Sequence, residues 1–122
     1  MLGNNYISIT AKGIEASLEV YFCKSDGCEI AYSPALDVLG YGKTVKEAMA
    51  SFEVVVADFF TSCMKRGTLD EYLTGKKWTR KPKQAVFVSP QISSLVSNNR
   101  FQRVLDSPRL SKRTIKQSLS YC

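Results

Sequence analysis

The chain has 122 residues and a mass of 13.6 kDa, room for one domain or one small domain with an extension, which excludes a multidomain enzyme. At 44% hydrophobic and 11% aromatic it is too apolar to be generically disordered. Its net charge of +6 hides a split: residues 1–75 hold six basic and ten acidic side chains, a net of −4, and residues 76–122 hold eleven basic side chains against Asp106, a net of +10.

Asn4 to Thr10 alternates Ile7 and Ile9 with Tyr6, Ser8 and Thr10, a short strand. Ser17 to Cys23 is a stronger one, with Leu18, Val20 and Phe22 on one face. Asp26-Gly27 is the dipeptide of a type I′ hairpin turn, whose central residues both need positive φ. Glu29 to Ser33 is the return strand. Pro34 ends it, and Pro34 to Asp37 is a turn. Val38 to Tyr41 is a short third meander strand.

Thr44-x-x-Glu47 is a capping box, with the hydroxyl accepting from the N3 amide and the Glu reaching back to the Thr44 amide. Val45, Ala48, Met49, Phe52, Val56, Phe59, Phe60 and Cys63 follow at helical spacing, and Glu53 and Asp58 fall on the outer side. Gly67 stops this helix after Lys65-Arg66. Thr68-x-x-Glu71 is a second capping box, and Gly75 closes the short helix it opens.

Lys76 to Lys83 places five cations in eight residues around Trp78. Ala85 to Ser89 is strand-like, Ser89-Pro90 caps a short helix over Ile92 to Asn98, and Phe101 to Leu105 adds a helical turn. Ser107-Pro108 breaks the chain, and Lys112 to Tyr121 alternates weakly at Ile115, Gln117, Leu119 and Tyr121. The expected fold is α+β: a three- or four-stranded antiparallel sheet on one long helix over residues 1–75, with a basic C-terminal extension over 76–122. Such a body leaves a sheet face and strand edges uncovered, and the tail or partner subunits are expected to cover them.

No apolar run approaches the roughly 18 to 20 residues of a bilayer span, and Met1 to Gly13 has no signal-peptide pattern, so a cytoplasmic protein without membrane contact is the expectation. Histidine is absent, which removes the commonest general base and most zinc sites. Cys23, Cys28, Cys63 and Cys122 lack paired metal-ligand spacing and are expected as reduced thiols. Asp37, Glu47, Glu53 and Asp58 do not converge by spacing on a magnesium site. No catalytic residue, metal or cofactor is expected.

The stretch Asp26 to Glu53, DGCEIAYSPALDVLGYGKTVKEAMASFE, resembles the HicB antitoxin family. The matching pieces are Asp26-Gly27, Tyr32-Ser33-Pro34, Leu36-Asp37, Gly40 to Thr44 and Glu47-Ala48, within residues 14–75. The resemblance implies a partial RNase H-like fold and a non-catalytic antitoxin that binds and blocks a HicA-like ribonuclease toxin. Family members also repress their own operons through a C-terminal helix-turn-helix or ribbon-helix-helix domain. Residues 76–122 show no helix-turn-helix. A ribbon-helix-helix reading would use Ala85 to Ser89 as strand, then helices after Pro90 and from Ser111. The tail is more similar to those of Bacteroides-type HicB-like proteins, which implies as the alternative an orphan oligomeric module whose basic tail binds nucleic acid in transcriptional autoregulation.

Two surfaces follow as expectations. Tyr32, Ser33, Pro34, Leu36 and Asp37 form a partner-binding patch for a small basic protein. Lys76, Lys77, Trp78, Arg80, Lys81 and Lys83, with Lys112, Arg113 and Lys116 as a second patch, form a nucleic-acid surface in which the indole stacks a base. The alternative is that these cations balance the acidic body. A homo-oligomer, dimer or tetramer, is also expected, with Ala85 to Ser89 and Lys112 to Tyr121 extending a neighbour's sheet.

Overall fold

A computed structural model describes residues 5–10, 12–81, 85–107 and 110–120. The fold is α+β, a seven-stranded antiparallel sheet with three helices, larger than the three or four strands expected. Strands β1 (Tyr6–Ile9), β2 (Gly13–Ser25), β3 (Cys28–Ser33) and β4 (Val38–Gly42) form the meander. Asp26 and Gly27, with φ of 51° and 79°, make the β2–β3 turn as the dipeptide requires.

Helix α1 (Val45–Arg66) begins at Thr44, whose Oγ1 accepts from the Glu47 amide at 3.1 Å. The Glu47 carboxylate accepts from the Lys43 amide at 3.2 Å, one residue before the Thr44 amide expected. Gly67 closes the helix at φ 65°. Helix α2 (Leu69–Gly75) follows, but Thr68 makes no side-chain cap, so the second capping box does not form. Gly40 lets α1 approach β4, because a Cβ there would collide with the backbone of Phe52.

The long strand β2 is the spine. Residues 14–17 pair with β1 and residues 21–25 with β3, while β7 (Ser111–Ser120) runs beside residues 13–22. A strand has only two edges, so β1 and β3 share one, end to end, and β7 fills the other. Asn5 sits at the junction. Its Oδ1 accepts from the Glu19 amide at 2.8 Å and its Nδ2 donates to Glu19 Oε1 at 3.2 Å, which satisfies β2 where neither neighbour pairs. On its far side β1 pairs with β6 (Val86–Val88), and β6 pairs with β5 (Thr79–Arg80).

Residues 76–122 therefore supply three strands of the one sheet and do not hang from it as an extension. The strand-like tail segments, expected to extend a neighbour's sheet, join the sheet of their own chain. The cause is the exposed edge of β2, which the tail alternation matches: Ile115 and Leu119 pack against the α1 core. The ribbon-helix-helix order fails because Ser111 begins a strand. The helix expected over Ile92 to Asn98 is a single 3-10 turn, Ile92–Leu95. Asn98 then caps helix α3 (Asn99–Leu105), accepting from the Arg100 amide at 2.8 Å.

Each face of the sheet has its own core. Ile7, Ile14, Ala16, Leu18, Val20 and Phe22 pack under Ala48, Phe52, Val56 and Phe60 of α1. On the opposite face Tyr21, Cys23 and Tyr32 pack under Phe101 and Val104 of α3. The Tyr21 and Phe101 rings meet edge-on, with centroids 5.2 Å apart. The tail thus covers the second face that the body leaves open.

Candidate functional site

The Ser33–Asp37 loop forms because Pro34 stops β3 and the chain turns back on itself. The Asp37 amide donates to the Ser33 carbonyl at 2.8 Å, and the Leu36 amide to Ser33 Oγ at 3.4 Å. Asp37 takes φ 58°, a left-handed conformation that Asp tolerates better than most residues. Trp78 Nε1 donates to the Ala35 carbonyl at 2.9 Å, and Tyr72 Oη to the Leu36 carbonyl at 2.8 Å. Both of these side chains, Tyr72 and Trp78, lie more than thirty residues downstream of the loop they hold.

Asp37 is the centre of this contact. Its carboxylate accepts from Tyr32 Oη at 2.6 Å and pairs with Lys76 at 3.5 Å and Arg100 at 3.4 Å. Burial, then the hydrogen bond to the Asp37 carboxylate, pushes the Tyr32 phenol far above its ordinary value. Burial, then the charge of Asp37, raises Tyr72 as well.

The expected partner-binding patch is therefore mostly interior. Tyr32, Ser33, Pro34 and Leu36 are buried, and only Asp37 keeps partial exposure. The docked tail of the same chain occupies the place assigned to a partner. The expected nucleic-acid surface is likewise broken up. Trp78 is 4% exposed and holds the loop, so its ring is not available for base stacking. Lys76 binds Asp37, Arg80 pairs with Asp70 at 3.5 Å, and Lys112 pairs with Glu19 at 3.0 Å. Arg113 lies over the Phe22 ring at 5.3 Å, on the sheet face opposite Lys112 and Lys116. Lys77, Lys81 and Lys116 are exposed, and Lys83 lies outside the described residues. The four described ion pairs all join a tail cation to a body carboxylate.

A cleft of about 380 Å³ opens beside this loop, between α3 and the ends of β2, β3 and β4. Lys24, Arg100 and Arg103 rim it, and Ile30, Leu39 and Val104 give it an apolar wall. Cys23 lines it too; burial raises its thiol, against an opposing hydrogen bond from Ser107. Such a thiol is a poor nucleophile at neutral pH. The sequence reading missed this cleft, because α3 reaches it only through the tertiary fold. Among the described residues no group of three or more Cys, Asp or Glu side chains is placed to hold a metal ion. No helix among them is long and apolar enough to cross a membrane.

Comparison with family models, curated proteins and solved structures finds no match to this chain.

Proposed function

We propose that the chain is a HicB-like, non-catalytic interaction protein that binds a small basic protein, with a HicA-like ribonuclease toxin as the candidate partner. One observation carries this reading. The stretch Asp26 to Glu53 folds as a continuous hairpin, loop, strand and capped helix, the order that the resemblance implies. With the Ser33–Asp37 loop buried, α1 is the acidic surface we assign to a basic partner. There Glu53 and Asp58 are exposed around Val54, itself 61% exposed.

Nucleic-acid binding by the tail has less support, since Lys76, Arg80, Arg100 and Lys112 already face carboxylates of the body. Self-association belongs to the proposal, because β7 presents a long strand edge.

The test is co-purification with the small basic product of a neighbouring gene, followed by a ribonuclease assay of that product. The chain is expected to suppress the cleavage. Glu53→Lys with Asp58→Lys should weaken binding at least tenfold, roughly what one close charge pair contributes to an interface. Full ribonuclease activity in the presence of excess chain would overturn the reading.

A further inference from the structure

Strand β2 has partners on both edges, but β7 pairs only with β2 among the described residues. The direction of its other edge follows from β2. The Glu19 amide points to Asn5, on the β1 side, so the even-numbered residues of β2 point toward β7. Those residues, Ile14, Ala16, Leu18 and Val20, sit opposite Leu119, Gln117, Ile115 and Arg113. The backbone groups of Lys112, Thr114, Lys116 and Ser118 therefore point away from the sheet, in the alternation every antiparallel ladder imposes.

We propose that this edge pairs with β7 of a second copy, antiparallel, about a two-fold axis at Ile115. The inference rests on the self-association part of the proposed function and names its surface. A two-fold pairing must put residues of the same sheet face opposite each other, so the axis passes through a residue. Centred on Thr114, it sets Lys112 against Lys116. Centred on Lys116, it sets that lysine against itself. Like charges directly opposite destabilise a sheet. Centred on Ile115, it sets Lys112 against Ser118, Thr114 against Lys116 and Ile115 against itself. Cations on an edge strand ordinarily deter pairing, and of these three registers only the one centred on Ile115 has no like charges directly opposite.

A second observation selects the same register. Gln117 Oε1 is buried without a hydrogen-bond partner, and it is the one such side-chain atom among the described residues. Its Nε2 already donates to the Glu53 carbonyl at 2.8 Å. The Ile115-centred pairing brings Arg113 of the second copy opposite Gln117, and a guanidinium offers five N–H donors. In this structure that guanidinium lies over its own Phe22 ring.

The test combines light scattering with disulfide trapping. The full chain is expected to be a dimer at micromolar concentration. Ile115 faces itself as a non-hydrogen-bonded pair, whose Cα separation of about 4.5 Å lies within the range a disulfide spans. Ile115→Cys should form a reducible dimer under mild oxidation, well above the level given by the native cysteines. Thr114→Cys and Lys116→Cys should stay at the native level. Thr114→Pro removes an amide that points outward, so it should leave the circular dichroism unchanged and weaken the dimer at least tenfold. A monomeric wild type would overturn both self-association and this surface. A dimer that survives Thr114→Pro, with no enhanced trapping at Ile115→Cys, would overturn this surface and leave self-association standing.

Discussion

On one face of the sheet, α1 lays Phe52, Val56 and Phe60 against alternate residues of β2; on the other, α3 lays Phe101 and Val104 against Tyr21, Cys23 and Tyr32. The first core is built mostly by a continuous stretch, β2 through α1, with Ile7, Leu69, Leu73, Trp78 and Phe87 joining it from outside that stretch. The second needs residues about eighty positions apart, and a polar clamp on Asp37 holds them together. Where chain neighbours meet, periodicity alone specifies the contact. Where distant segments meet, directed hydrogen bonds and ion pairs fix the register. Body and tail are one folded unit, and their opposite charges neutralise each other across that contact.

The largest expected effect tests whether the tail is structural. Phe52→Ala and Trp78→Ala should each cost about 3–5 kcal/mol in urea unfolding, the usual range for a buried aromatic. An appended extension would make Trp78→Ala cost less than about 0.5 kcal/mol, as for an ordinary surface change. Next comes Asp37→Ala, which leaves Tyr32, Lys76 and Arg100 without their shared carboxylate. It should cost about 1.5–3 kcal/mol, as hydrogen bonds to charged groups do. A shift below that range would mean the clamp adds little to packing.

The pH dependence is smaller and carries a sign. Tyr21, Tyr32 and Tyr72 are all raised above their ordinary value of 10.0, chiefly by burial. Above pH 10 the unfolded chain therefore releases protons that the folded chain keeps. Their contribution is fully present below pH 10 and declines as pH rises beyond it. Urea midpoints measured at pH 8 and pH 11 should show the fall, and Tyr32→Phe should reduce its slope. Smallest of all, Lys81→Gln at an exposed position should change stability by less than about 0.5 kcal/mol.

The first face was legible in the sequence. Alternation in β2, Asp26-Gly27 at the turn, Thr44 at the cap and the apolar spacing of α1 all act within a few residues, and each appears in the structure. The second half was legible only in pieces. Ala85 to Ser89 and Lys112 to Tyr121 read as strands, but nothing local says that β7 pairs with β2, nearly a hundred residues away. Trp78 shows how this misleads. Among lysines it looks like a stacking platform, yet its indole closes a loop forty-three residues upstream. The same holds for Tyr32, Ser33, Pro34 and Leu36, whose burial depends on Tyr72, Trp78 and α3. Arg100 and Arg103 carried no local signal at all, since the cleft they rim exists only once α3 has docked.

Trp78 is the only tryptophan, so its fluorescence reports the contact between the two halves, while far-ultraviolet circular dichroism reports the whole backbone. Equilibrium urea unfolding followed by both signals tests most directly whether body and tail are one cooperative unit. The two curves should superimpose, with a single midpoint. A fluorescence transition at clearly lower urea than the dichroism transition would show the tail leaving first and would contradict this account.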